Sequence, residues 1–140
     1  MRKISLREAV KFHGHLGPYL VLGILAGEMA IKKLEARKYF GLEVMVRGAT
    51  QKPKSCLIDG LQLSAGATYG KGNIQKTKGN SIAILFRNPE NKKKIRISLK
   101  GGVLKKLGGL KCHRDCEAFA RELYNINPSE VFNLSSKQGS

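Results

Sequence analysis

The segment from Tyr19 to Ile31 constrains the fold more than any other part of the chain. It is apolar apart from Glu28 and two glycines, Gly23 and Gly27, and Pro18 sits where the first turn of a helix tolerates proline. The pattern predicts a helix over 18–37. Its first half (Tyr19, Leu20, Val21, Leu22, Ile24, Leu25) must be buried, while its end (Lys32, Lys33, Glu35, Arg37, Lys38) faces water. The run is too short to span a bilayer. Gly23 and Gly27 lie four apart, hence on one side of the helix, and lack the Cβ atoms that would keep another backbone away. Such a helix needs tight packing against a second helix or a sheet. The 140 residues make one domain, able to bury about two-thirds of its unfolded surface. Covering both sides of so apolar a helix points further to a symmetric homodimer.

Other elements follow from period and punctuation. Ser5-x-x-Glu8 is a capping box opening a helix that reaches about Phe12. Residues 42–48 alternate, with Leu42, Val44 and Val46 against Glu43, Met45 and Arg47, as in a half-buried strand. Ser55 is placed to cap a helix over 56–65. The glycine loop 66–73 follows and runs into a strand. Strands 81–87 and 94–99 pair around the turn Asn88-Pro89-Glu90-Asn91. A loop or short helix fills 101–109, a helix spans 114–124, and Asn127 caps a last turn carrying Val131 and Phe132. Segregated helices and hairpin-linked strands predict an α+β domain with an antiparallel sheet packed with helices. Residues 135–140 read as a disordered tail.

Charge narrows the classes of partner. Lys and Arg number 26 against 10 Asp and Glu, a formal net charge of +16, and such a field attracts polyanions. From Asn91 to Arg114 there are nine basic residues and no acidic one. This stretch is either a solvated face or a docking surface for nucleic acid or an acidic protein. Lysine outnumbers arginine there, which argues against base-specific readout and for weak, sequence-indifferent binding. The basic start MRKISLREAV has no apolar run behind it and does not read as a signal peptide. Three cysteines, Cys56, Cys112 and Cys116, make no disulfide framework, so the expected location is the reducing cytoplasm.

Four clusters could carry chemistry. His13-Gly14-His15 sets two imidazoles about a flexible glycine, so both could converge on one point. Cys56 in the first turn of a helix gains from amides and dipole that lower a thiol pKa, and Asp59 and Gln62 follow it at three-residue steps along one side. The same spacing also describes a buried structural cysteine beside a capping aspartate. The loop Gly66 to Asn73 is no Walker loop, because three residues separate Gly66 from Gly70 and Gly72 follows Lys71. Its amides and Lys71 could still form an anion-accepting nest. Cys112-His113-Arg114-Asp115-Cys116 lacks the donors of a tetrahedral site.

Taken in order, His13-Gly14-His15-Leu16-x-Pro18, the glycine-bearing helix, Cys56-x-x-Asp59-Gly60-x-Gln62 and Gly66-x-Thr68-Tyr69-Gly70-Lys71-Gly72-Asn73 resemble the FmdE-like family, named for the FmdE component of formylmethanofuran dehydrogenase. The resemblance implies an FmdE-like α+β domain over 1–134 without the C-terminal zinc ribbon of longer members. It implies a metal-binding accessory or enzyme-like role connected with formylmethanofuran or molybdenum/tungsten-pterin metabolism, and oxidoreductase partner subunits. It implies zinc as cofactor, with His13, His15 and Cys56 as ligands converging in one groove. Cys56 and Asp59 would be the catalytic pair, Asp59 as base, and Thr68, Lys71 and Asn73 would be the cofactor-binding residues of the loop. This chain carries Gly17 and Ala67 where many members have cysteine, so two soft ligands are missing.

Overall fold

The computed structural model describes residues 4–138. Helix α1 (Leu6–His13) begins with the expected capping box: the Glu8 amide donates to Ser5 Oγ at 3.0 Å and the Ser5 amide to Glu8 Oε1 at 3.2 Å. Gly14 closes it at φ 108°, left-handed geometry that glycine adopts without strain. The chain then turns into α2 (Pro18–Leu34). This helix ends at Leu34 rather than at 37 for a tertiary reason. Nδ2 of Asn88 and Nδ2 of Asn91 donate to Leu34 O at 3.0 and 2.9 Å. A distant hairpin turn thus takes the last carbonyl, and Glu35 adopts φ 51°.

Next come β1 (Glu43–Arg47), α3 (Cys56–Ala65) and β2 (Ile74–Thr77), then the hairpin of β3 (Ala83–Arg87) and β4 (Lys93–Leu99). Helices α4 (Gly101–Gly108) and α5 (His113–Tyr124), a 3-10 turn at Pro128–Glu130 and β5 (Phe132–Gln138) complete the order. The strands form one sheet, β2-β1-β3-β4-β5. The fold is α+β, with one correction to the expected antiparallel sheet: β1 and β2 run parallel, Val44 opposite Ile74, because the connection through α3 is long enough to carry the chain back. A second correction concerns the expected tail. Residues 135–138 belong to β5 and pair with β4, Ser135 opposite Arg96 and Ser136 opposite Ile95; ladder hydrogen bonds come from the backbone, so a polar segment can complete a strand edge. Residues 139 and 140 lie outside the described residues.

One face of the sheet carries the core: Ile74, Val44, Val46, Ile84, Phe86, Ile95, Ile97 and Leu99 are buried beneath the helices. Leu20, Val21, Leu22, Ile24, Leu25 and Ala26 of α2 have no exposed surface, each large one contributing about 1.5–3 kcal/mol by burial. The two glycines do what their spacing predicts. A Cβ at Gly23 would stand 2.0 Å from Leu57 O, and one at Gly60 would stand 2.1 Å from Leu20 O, so α2 and α3 touch backbone to backbone. Ser64 on α3 reinforces the seam by donating toward Gly23 O at 3.2 Å and Gly60 O at 3.0 Å. The apolar surface that motivated a homodimer is therefore consumed within one chain. No single helix among the described residues is long and apolar enough to cross a membrane.

Candidate functional site

The seam fixes where α3 points its polar side. Asp59 and Gln62, one turn apart, face the C-terminus of α1. There Asp59 Oδ2 accepts from Nδ1 of His13 at 2.6 Å, and Asp59 Oδ1 accepts from Gln62 Nε2 at 3.3 Å. Gln62 Oε1 in turn accepts from the Tyr69 amide at 3.2 Å. One polar chain therefore runs from the glycine loop to the imidazole. Both Asp59 oxygens are engaged, so the carboxylate positions His13 instead of serving as the expected base. With Nδ1 donating, the neutral ring keeps its lone pair on Nε2. That atom is buried and has no hydrogen-bond partner.

The other expected ligands are placed differently. His15 is exposed and stacks on His13 with centroids 4.7 Å apart and planes at 25°. Imidazole coordinates in its own plane at about 2.0–2.1 Å. Two nearly parallel rings at this separation cannot both direct a lone pair at one ion, because glycine freedom at Gly14 is spent on ending α1. Among the described residues no group of three or more His, Cys, Asp or Glu side chains could hold a metal. The set His13, His15 and Cys56 is thus not assembled as a cluster. The donors present fit an ion reached through His13, with Asp59 behind the ring, and do not fit an imidazole-pair chelate.

Cys56 opens α3 as expected, but its chemistry is the reverse of the expectation. Burial, and second the nearby Asp59 carboxylate, push the thiol above its ordinary pKa, outweighing Lys52 and the helix-start amide. Ser55 makes no side-chain cap. The preceding turn instead ties up the amides of residues 55–58, with Cys56 N donating to Pro53 O at 3.1 Å. The same two causes raise the Tyr69 hydroxyl.

The glycine loop is braced from within. Thr68 N donates to Asn73 Oδ1 at 2.9 Å, Lys71 N donates toward Thr68, and Gly72 N to Thr68 O at 3.1 Å. Lys71 Nζ donates to Gly66 O at 2.6 Å. These amides are not an open anion nest. Thr68, Lys71 and Asn73 shape the loop, and Asn73 Nδ2 also donates to Tyr39 O at 3.0 Å. Tyr39 is the feature that pattern reading missed. It sits at φ 78°, held by its own amide to Ala65 O at 3.0 Å, directly over Gly66, where a Cβ would meet it at 2.6–2.7 Å. Two adjacent aromatics at the end of a charged segment, Tyr39-Phe40, were the available signal.

Comparison with known proteins agrees with this fold. Residues 12–133 match the family described as "FmdE, Molybdenum formylmethanofuran dehydrogenase operon". A crystal structure of an FmdE-like protein of the tungsten formylmethanofuran dehydrogenase type, from Syntrophus aciditrophicus, superposes with a TM-score of 0.65 at 18% identity, covering 96% of this chain and 71% of that one. A curated relative from Archaeoglobus fulgidus, described as a probable S-adenosyl-L-methionine-binding protein, is 32% identical over 73 residues. That match takes in 49% of this chain and only 19% of the relative's length.

Proposed function

This chain belongs to the FmdE family, and from that premise we propose that it is a metal-binding accessory or enzyme-like protein of the formylmethanofuran dehydrogenase type, taking a divalent ion, zinc first, through Nε2 of His13. The observation that carries the reading is that nitrogen itself, buried without a partner while Asp59 holds the opposite nitrogen at 2.6 Å. Metal-ligating histidines characteristically donate their other ring N–H to a carboxylate, which fixes the tautomer and makes the ligating nitrogen more basic. Cys56, one turn before Asp59, is the second donor in this reading, and its protonated thiol must release a proton on binding. Two protein donors leave coordination positions open, as in sites that act on a ligand rather than merely staple a fold. When bound, zinc supplies Lewis-acid polarisation of a ligand oxygen. The chain's own residues do the rest: Asp59 and Gln62 orient the ring, His15 packs on its face, and the braced loop holds Tyr69 against Gln62. Partner subunits of a dehydrogenase complete the proposal, since the family takes its description from such an operon.

Zinc titration against a chromophoric chelator tests it. One ion per chain is expected for the unaltered protein, with binding lost in His13→Ala and weakened roughly 10–100-fold in Asp59→Asn. His15→Ala is expected to bind nearly as well as the parent. An unaltered protein that takes up no zinc, or a His13→Ala variant that binds undiminished, overturns the reading.

A further inference from the structure

The second face of the sheet has no part in the site around His13, and its register puts an unusual row of side chains in line. Gln75 stands opposite Met45, Met45 opposite Leu85, Leu85 opposite Arg96 and Arg96 opposite Ser135. The row therefore crosses all five strands on the side away from the core, a span of roughly 19 Å at about 4.8 Å per strand interval. A groove of about 730 Å³ follows it, lined along its length by four cations, Lys71, Arg87, Lys94 and Arg96, and by one carboxylate, Glu43. Glu43 is already engaged by Arg87 Nη1 at 2.7 Å. At the β2 end the groove meets exposed aromatic rings: Phe40 is 73% and Tyr39 54% exposed, with Lys71 Nζ 5.2 Å and 5.9 Å from their centroids.

We propose that this groove binds single-stranded nucleic acid without sequence preference. A second copy of the chain would bring like charge against like charge, which is destabilising. A polyanion has the matching sign, and the molecule's net charge of +16 gathers it from a distance. The choice of nucleic acid over an acidic protein rests on Tyr39 and Phe40. Exposed rings beside a cationic track are stacking platforms for bases, which need a π-face and no particular sequence, whereas an acidic polypeptide has no use for them. The structure also sorts the acid-free stretch 91–114 into parts. Lys94 and Arg96 lie in the groove, while Lys93 pairs with Glu35 at 3.0 Å and Lys106 lies 3.9 Å from Glu122, so the stretch is not one continuous face.

Fluorescence anisotropy with labelled dT12 at low and moderate salt tests the proposal on the full chain. Binding is expected to weaken with salt at a log–log slope of about −2, as for three neutralised phosphates on a single strand. The double variant Lys94→Glu, Arg96→Glu is expected to lose at least tenfold in affinity, and Phe40→Ala roughly fivefold. The charge-matched control Lys32→Glu, Lys33→Glu, on the end of α2, is expected to lose far less, because screening confines distant charges. Circular dichroism confirms folding of each variant, and Arg96→Glu alone, at an exposed position, stands in if the double variant fails that check. No anisotropy change at low salt overturns the proposal, as does a control pair that costs as much as the groove pair. Undiminished binding by Phe40→Ala together with equal competition by polyglutamate also overturns it, in favour of an acidic-protein surface. None of these readings depends on zinc, so the two proposals fail separately.

Discussion

In the seam between α2 and α3, two backbones meet at Gly23 and Gly60 with no side chain between them. On the outer face of the sheet, side chains of every polarity stand into open space. Both regions rest on the same core, yet they constrain sequence in opposite ways. At the seam the chain is specified by what is missing, since any added atom meets a carbonyl oxygen at about 2 Å and a packed interior has no room to yield. On the outer face Met45, Leu85 and Arg96 are half-buried or exposed. Their identity is left to function instead of folding. The site around His13 sits at the end of the seam, and it inherits the seam's rigidity through Asp59 and Gln62.

The strongest way to break this contrast is Gly23→Ala. Helix propensity favours the change by about 1 kcal/mol, but overpacking against Leu57 O costs about 3 kcal/mol or more, and the second effect wins. A net loss of about 2 kcal/mol and a fall in thermal midpoint of roughly 5–10 °C are expected by calorimetry. An unchanged midpoint would mean that the helices can part without penalty.

An intermediate effect is expected where the seam delivers its charge to the site. In a Cys112→Ser, Cys116→Ser background, Asp59→Asn removes the negative charge that helps hold the Cys56 thiol up. The thiol pKa then falls, the thiolate fraction at pH 8 rises, and alkylation by iodoacetamide accelerates. The rate-versus-pH profile moves to lower pH without reaching the ordinary thiol value, because burial, the larger cause, remains. A profile that stays in place would show that Asp59 is screened from Cys56.

The smallest effect belongs to the outer face. Leu85→Thr keeps a strand-favouring, β-branched residue at a half-buried position, and its unfolding free energy in urea is expected to stay within about 0.5 kcal/mol of the parent. A larger loss would place Leu85 in the core and make the two faces alike.

Local signals settled most of the elements. The Ser5 capping box, Pro18 at the start of α2, the glycine pair four apart and the strand alternation around Val44 each act over one or two turns, so they could be read in order along the chain. The helix at 56–65 was legible for the same reason, and so were the polar residues Asp59 and Gln62 that share its side. Contacts across long sequence separations were settled only by the tertiary structure. The end of α2 depends on Asn88 and Asn91, more than fifty residues away. The parallel pairing of β1 with β2 depends on the return through α3, and β5 depends on a free edge of β4. At the site, the two histidines looked like a chelating pair, because a glycine between them permits convergence. The fold instead spent that freedom on a turn, stacked the rings and aimed His13 at Asp59. The thiol of Cys56 followed the same rule: its place at a helix start was written in the sequence, but burial and a neighbouring carboxylate, which only packing creates, decide its proton.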